Sequence, residues 1–174
     1  PQVLLLHTLL NYVKKKKKVM FIASTGGHLS ELMQLAPLFK KYDYNIVTEK
    51  TKSNLNLIKK YPNRVHYIIS GTYTNFKAKL IYPFKLLLNC FISLYLILTI
   101  RPDVVVTTGS HNVGPMCCLA KLFHKKIIFI ETIANSTTPT RAGRLIYKFA
   151  DYFIVQWESM LEVYPNAIYG GWIY

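Results

Sequence analysis

The sequence predicts an α/β domain, a single parallel sheet flanked by helices, and three observations carry that prediction. Short runs rich in valine and isoleucine, such as Val104–Thr108 and Lys126–Glu131, have the unbroken apolar character of strands buried on both faces. Segments with helical spacing separate these runs, the alternation that builds parallel sheets. Length completes the case, because 174 residues can bury one sizeable core and amount to one domain.

Taken in order, Val19–Ser24 is a strand that ends in the turn Thr25-Gly26-Gly27-His28. Leu29, Leu32, Met33, Leu35, Ala36, Leu38 and Phe39 then recur at helical spacing. Asn45–Thr48 is a second strand, Ser53–Tyr61 a helix and Val65–Ile69 a third strand. The polar loop Ser70–Lys77 leads to a long apolar helix, Lys79–Ile100, which Arg101-Pro102-Asp103 ends. Val104–Thr108 is the fourth strand, Gly109–Pro115 a loop, Met116–Phe123 a helix and Lys126–Glu131 the fifth strand. A Ser/Thr-rich loop follows, then a helix near Arg144–Ala150, a strand at Tyr152–Val155 and a helix near Glu158–Val163. There is no internal repeat.

The charge is lopsided: 22 Lys and Arg against 8 Asp and Glu give +14. Such an excess calls for a polyanionic partner, either nucleic acid or an anionic lipid surface. No RNP-like, zinc-finger or basic-zipper spacing accompanies it, so the expected partner is an anionic membrane surface and not nucleic acid. Cys90, Cys117 and Cys118 make no disulfide framework and lack metal spacing; they read as small core residues in a reducing, cytoplasmic setting.

Residues 1–18 stand apart from the domain predicted at residues 19–174. Pro1–Val13 is apolar and Lys14–Lys18 is an unbroken lysine block. The apolar part is too short to cross a bilayer, which takes about 20 residues, and no small-residue cleavage site follows it. Four readings stay open: an interfacial anchor, the tail of a longer membrane helix, a leader that is not native, or a solvated charge run ahead of a core strand. In the first two the lysines face anionic headgroups on the cytoplasmic side.

Leu80–Ile100 carries a single charge and is long enough to span a membrane. Lys85, Asn89 and Ser93, however, fall at i, i+4 and i+8, a narrow polar stripe on one helix face. A span would also place Val104–Thr108 across the bilayer from the first three strands and prevent the sheet from forming. The segment is therefore expected to pack on the sheet, with its outer side either facing lipid or a partner, or buried.

Chemistry concentrates where strands end. In Thr25-Gly26-Gly27-His28, glycines let the backbone turn sharply and bring N–H groups close to a phosphate, at a helix N-terminus. The turn is neither a G-x-G-x-x-G fingerprint nor a P-loop. His28 is a candidate phosphate contact or general base, because histidine titrates nearest neutrality; a polar first-turn residue without chemistry is the plainer reading. A second loop, Gly109-Ser110-His111-Asn112-Val113-Gly114-Pro115, also leaves a strand, with Pro115 suited to the first turn of a helix. Glu131 ends the fifth strand, followed by Thr132 and Asn135. Ligands of open α/β sheets collect outside the carboxyl ends of strands, so these three tips are expected to share a crevice. A Ser–His–Asp hydrolase has no G-x-S-x-G elbow to stand on.

Four segments together resemble one family: Val19–Glu31 (VMFIASTGGHLSE), Arg101–Pro115 (RPDVVVTTGSHNVGP), Ile130-Glu131 and Asp151–Gly170 (DYFIVQWESMLEVYPNAIYG). The chain resembles the PssD/CpsF/EpsE group of exopolysaccharide biosynthesis proteins, similar to the membrane-anchored subunit of the split N-acetylglucosaminyltransferase of the dolichol pathway. More distantly it looks like the N-terminal half of MurG-type transferases. The resemblance implies a Rossmann-like domain equivalent to the N-terminal half of a GT-B fold. It implies a subunit supplying the membrane contact and the acceptor side of an inverting transferase, inactive without a soluble partner that binds the donor UDP-sugar. The acceptor would be polyprenyl-diphosphate-linked, on the cytoplasmic face of a membrane, with neither cofactor nor metal. On this likeness Thr25, Gly26 and Gly27, with Gly109, Ser110, His111, Asn112 and Gly114, hold the diphosphate and acceptor. His28 and Glu131 are catalytic, Glu131 orienting the acceptor hydroxyl, and Tyr164, Pro165, Tyr169 and Gly170 contact the partner. Ser24 stands where relatives with a fuller glycine loop have Gly, and His111 where MurG-type enzymes have Tyr. Length agrees with half an enzyme, since two such lobes need on the order of 300 residues. The competing expectation is a scaffold without catalysis that only recruits its partner to the membrane.

Overall fold

A computed structural model describes residues 17–71 and 76–173; the side chains of residues 76–79 and of His111 lie outside that description. The predicted membrane-associating segment, residues 1–18, thus lies outside it apart from its last two residues. Seven parallel strands form one sheet in the order β3-β2-β1-β4-β5-β6-β7. They are β1 (Lys18–Ile22), β2 (Asp43–Glu49), β3 (Val65–Ile68), β4 (Val104–Thr107), β5 (Lys126–Ile130), β6 (Tyr152–Val155) and β7 (Ile168–Tyr169). The helices are α1 (Gly27–Met33), α2 (Leu57–Lys60), α3 (Phe76–Ile100), α4 (Gly114–Leu122), α5 (Arg141–Ile146) and α6 (Met160–Val163). The order reverses between β1 and β4, which makes that gap the switch point of a Rossmann-like sheet.

Both sheet faces are covered, and the alternation of side chains divides the core. Val19, Phe21, Ile46, Val104 and Val106 pack with Leu29, Leu32, Leu38 and Phe39 on one side. Met20, Ile22, Val47, Val105 and Phe129 pack with Leu96, Ile97, Met116, Cys117, Ala142 and Ile146 on the other. Burial of a side chain such as Phe21 or Phe129, both fully enclosed, contributes about 2–3 kcal/mol.

Several element boundaries differ from expectation for local reasons. The helix predicted from Leu29 to Phe39 divides into α1 and a 3-10 turn, Ala36–Lys41, with Pro37 in its first turn. Proline has no N–H to continue the α ladder and suits the start of a new turn. The region predicted as helix 53–61 is a 3-10 turn, Lys52–Asn54, followed by α2. α5 begins at Arg141, earlier than predicted, because Thr140 caps it by accepting a hydrogen bond from Gly143 N–H. The cysteines also differ: Cys117 is buried as expected, Cys90 is partly covered and Cys118 is exposed.

α3 is polar inside and apolar outside. Asn89 and Ser93 are buried against the sheet. Asn89 pairs with the backbone just beyond β3, accepting from Ile69 N–H at 2.8 Å and donating to its carbonyl at 3.0 Å. Leu80, Ile81, Phe84, Leu87, Leu88, Phe91, Tyr95 and Leu98 meanwhile stand half to two-thirds exposed, so complete burial of this helix is excluded. Leu80–Ile100 is the one helix among the described residues long and apolar enough to cross a membrane, yet its polar stripe belongs to the domain. Arg101, at φ 55°, ends the helix ahead of Pro102. Replacing Asn89 with Leu is expected to lower stability by about 1–3 kcal/mol, because it strands the partly buried N–H and C=O of Ile69. Thermal unfolding measures this, and an unchanged midpoint would refute the inward stripe.

Candidate functional site

The tips of β1, β4 and β5 are neighbours at one edge of the sheet, and the residues after them converge on α1. Gly26 has φ 69° and ψ −138°, a conformation only glycine adopts without strain. Gly27 is different: its φ is ordinary and an added Cβ would meet nothing within 4 Å. The fold itself makes no demand for glycine there, and the backbone is left open to close approach. α1 carries no side-chain cap and no acidic residue in its first turn, so neither competes for its leading amides.

The second loop is strained where it meets the first. Gly109 has φ 101° and Ser110, a residue with a Cβ, has φ 89°. Such backbone geometry clusters at functional sites. Gly109 lies under the His28 ring, since a Cβ on it would stand 3.6 Å from the ring Cε1. Two reciprocal bonds lock α1 to β4. Thr108 Oγ1 donates to the His28 carbonyl at 2.6 Å, and His28 Nδ1 lies 2.8 Å from the Thr108 carbonyl. A carbonyl only accepts, so Nδ1 carries the hydrogen and the neutral ring has its lone pair on Nε2.

A third tie joins α1 to the β5 tip, and sequence reasoning missed it. Thr132 Oγ1 donates to Glu31 Oε1 at 2.6 Å. Glu31 is buried, and its Oε2 is the side-chain atom among the described residues found buried without a partner. An acid three residues after His28 in the quoted Val19–Glu31 segment was the available signal. Thr108 and Thr132 carried no signal beyond standing at strand ends.

Other predicted site residues are engaged inside the protein. Asn112 is 4% exposed; it donates to Glu49 Oε1 at 2.7 Å and accepts from the Tyr82 hydroxyl at 3.3 Å. Asn112 thus braces β2, α3 and the loop after β4. Ser110 is half-buried, Gly114 opens α4 in the interior and the His111 backbone starts a 3-10 turn. Glu49 occupies the end of β2, where a dinucleotide-binding domain places an acid that reads ribose. Its second oxygen accepts from Ser70 at 2.7 Å, so the carboxylate is spent internally and offers no ribose contact.

Glu131 is likewise engaged inside the protein. Its carboxylate is 1% exposed. It accepts from Thr132 N–H at 3.2 Å, from the Thr140 hydroxyl at 2.9 and 3.1 Å, and from the Tyr164 hydroxyl at 3.0 Å. Both oxygens thus accept internal bonds, and the carboxylate braces α5 and α6. Burial raises its pKa above the ordinary carboxylate range, and the bonds from Thr140 and Tyr164 partly oppose that. The folded state thus holds this proton more tightly than the unfolded chain. The stabilisation is complete below the unfolded value and is lost as pH rises through the folded one. Burial and the neighbouring Glu131 charge likewise push the Tyr164 hydroxyl up. Of the predicted partner contacts, Tyr164 and Gly170 are interior, while Pro165 and Tyr169 lie at the surface. Of these four, Pro165 and Tyr169 are the ones that offer surface.

With this geometry in hand, comparison with known proteins is informative. The sequence pattern of the family described as "Oligosaccharide biosynthesis protein Alg14 like" matches residues 19–173. The chain belongs to that family. It is similar to the UDP-N-acetylglucosamine transferase subunit ALG14 of Homo sapiens, 27% identical over 91% of this chain and 83% of that protein. The Kluyveromyces lactis protein of the same name is 26% identical over 91% and 79%. The Alg14-like match supports the likeness to the split N-acetylglucosaminyltransferase subunit, and the PssD/CpsF/EpsE grouping stays a resemblance. Among solved structures, Acinetobacter baumannii MurG superposes with a TM-score of 0.67 at 20% identity, over 82% of this chain and 42% of its own. UDP-GlcNAc 2-epimerase from Methanocaldococcus jannaschii gives 0.62 at 16% identity, over 83% and 41%. These likenesses establish the fold: a Rossmann-like domain matching one half of a two-lobed GT-B architecture. The Alg14-like chain spans about two-fifths of those structures.

Proposed function

We propose that this Alg14-like chain is the membrane-docking, acceptor-side subunit of a two-component inverting glycosyltransferase. The complex moves a sugar from a UDP-sugar to a polyprenyl-diphosphate-linked acceptor at the cytoplasmic face of a membrane, and a soluble partner binds the donor. The observation that carries this reading is the switch-point pairing of Gly26-Gly27-His28 with Thr108-Gly109, an open backbone cradle beside an imidazole of fixed tautomer. The Glu49 knot supports placing the nucleotide on another polypeptide. The outward apolar face of α3 supports docking to a bilayer.

The chemistry follows from these positions. Main-chain amides of the two loops receive the acceptor diphosphate. His28 Nε2 takes the proton from the attacking hydroxyl as the bond to the sugar forms and the UDP leaves. Glu131, Asn112 and Glu31 act as positioning residues that hold the strand tips together. A scaffold without catalysis is the second reading, favoured by the internal engagement of Glu131 and Asn112.

Coexpression with a candidate donor-binding subunit, followed by measured transfer to a lipid-linked acceptor, tests the proposal. Activity is expected only from the pair. Full activity of this chain alone would defeat the two-component reading.

A further inference from the structure

The helical layer formed by α3, α4 and α5 holds a feature that the transfer reaction does not use. A cavity of about 670 Å³ lies between the α5 segment and the end of α6, walled by Arg141, Arg144, Lys148, Leu145, Tyr147 and Tyr164. Three of its lining residues are cations and none is an acid. The ion pairs among the described residues are Arg64–Asp43, Lys121–Asp151 and Lys126–Asp151, and none involves Arg141, Arg144 or Lys148. Arg141, Leu145 and Lys148 fall one and two turns apart on one face of the α5 segment.

Location decides what anion fits. Ala142 and Ile146 of α5 share a core with Leu96 and Ile97 of α3 and with Met116 and Cys117 of α4, so the three helices lie on one sheet face. Exposed apolar side chains occur on each helix of that layer: the outward residues of α3, Leu122 at the end of α4 with Phe123 after it, and Leu145 of α5 in the cavity wall. A bilayer meeting this surface brings its headgroup phosphates to the rim where the three cations stand. Guanidinium groups suit phosphate through paired N–H donors, and the aromatic and aliphatic walls suit the glycerol that follows it.

We propose that the Arg141–Arg144–Lys148 cavity binds the headgroup phosphate of an anionic phospholipid and orients the domain on the bilayer. This inference rests on the membrane-docking reading above. The test uses the full chain in its complex and phosphatidylcholine vesicles with or without phosphatidylserine. Substituting Arg141→Gln, Arg144→Gln and Lys148→Gln together is expected to weaken partition onto phosphatidylserine vesicles on the order of a hundred-fold, about five-fold per cation. Transferase activity in detergent and the melting temperature should not change. Substituting Lys40→Gln, Lys59→Gln and Lys60→Gln removes equal charge from residues of other helices and is expected to have little effect. Equal losses in both triple variants would overturn the site in favour of net charge. So would competition by inorganic phosphate, which marks a free-anion site, or lost complex formation with unchanged vesicle binding, which marks an acidic partner surface. Failure of the unaltered protein to bind any vesicle defeats the docking reading and this site with it. Binding to both vesicle types with no preference for phosphatidylserine defeats the site alone.

Discussion

His28→Ala in the assembled two-subunit complex is expected to lower turnover by about 10²- to 10⁴-fold, the range a positioned general base supplies. The loss should fall on kcat, with little change in the apparent affinity for the UDP-sugar, which the other polypeptide binds. The reason lies in the two bonds that fix the ring. With Nδ1–H given to the Thr108 carbonyl, Nε2 is the basic atom before any substrate arrives. Thr108 Oγ1 in turn holds the His28 backbone. Thr108→Val should therefore cost less than His28→Ala, since it frees the backbone without removing the base. Recovery of the complex by affinity capture separates catalysis from assembly. A fully active His28→Ala complex would sink the base assignment and leave the scaffold reading in its place.

The sequence was most legible where structure depends on neighbours along the chain. β6 coincides with its predicted residues, and β4 and β5 each end one residue early. Buried parallel strands announce themselves through uninterrupted valine and isoleucine. β7 escaped because two residues, Ile168–Tyr169, carry no periodicity. The long apolar run before β4 could be placed on the sheet from Asn89 and Ser93, yet which way its apolar side faced depended on what lay beneath it. The candidate site divides in the same manner. Gly26, Gly27 and Gly109 declare a turn in one dimension. The engagement of Asn112 by Glu49 spans 63 residues and that of Glu131 by Tyr164 spans 33, and no local pattern encodes either. Polar residues at strand tips therefore looked alike in sequence, although some line the crevice and others hold its walls.

Gly143→Ala is expected to cost about 3–5 kcal/mol, a large share of the roughly 5–15 kcal/mol that holds a domain folded. In a chain of this size that lowers the thermal midpoint by about 10 °C. A Cβ at this position would stand 2.1 Å from Glu131 Oε2, 2.6 Å from the Tyr164 hydroxyl and 2.8 Å from Thr140 Oγ1. Side-chain ends can usually swing aside, but these three are bonded to one another and enclosed. Thr140 also caps α5 through Gly143 N–H at 2.8 Å. The methyl must therefore break the knot or displace the first turn of α5. Removing the obstacle supplies the decisive comparison: Glu131→Ala alone should destabilise by stranding the Thr140 and Tyr164 hydroxyls, yet it opens room for the added methyl. The double variant is expected to lose clearly less than the sum of the single losses, a coupling that contact between the two sites requires. Additive losses would mean that Gly143 and Glu131 do not meet, and the brace at the β5 tip would fall with them.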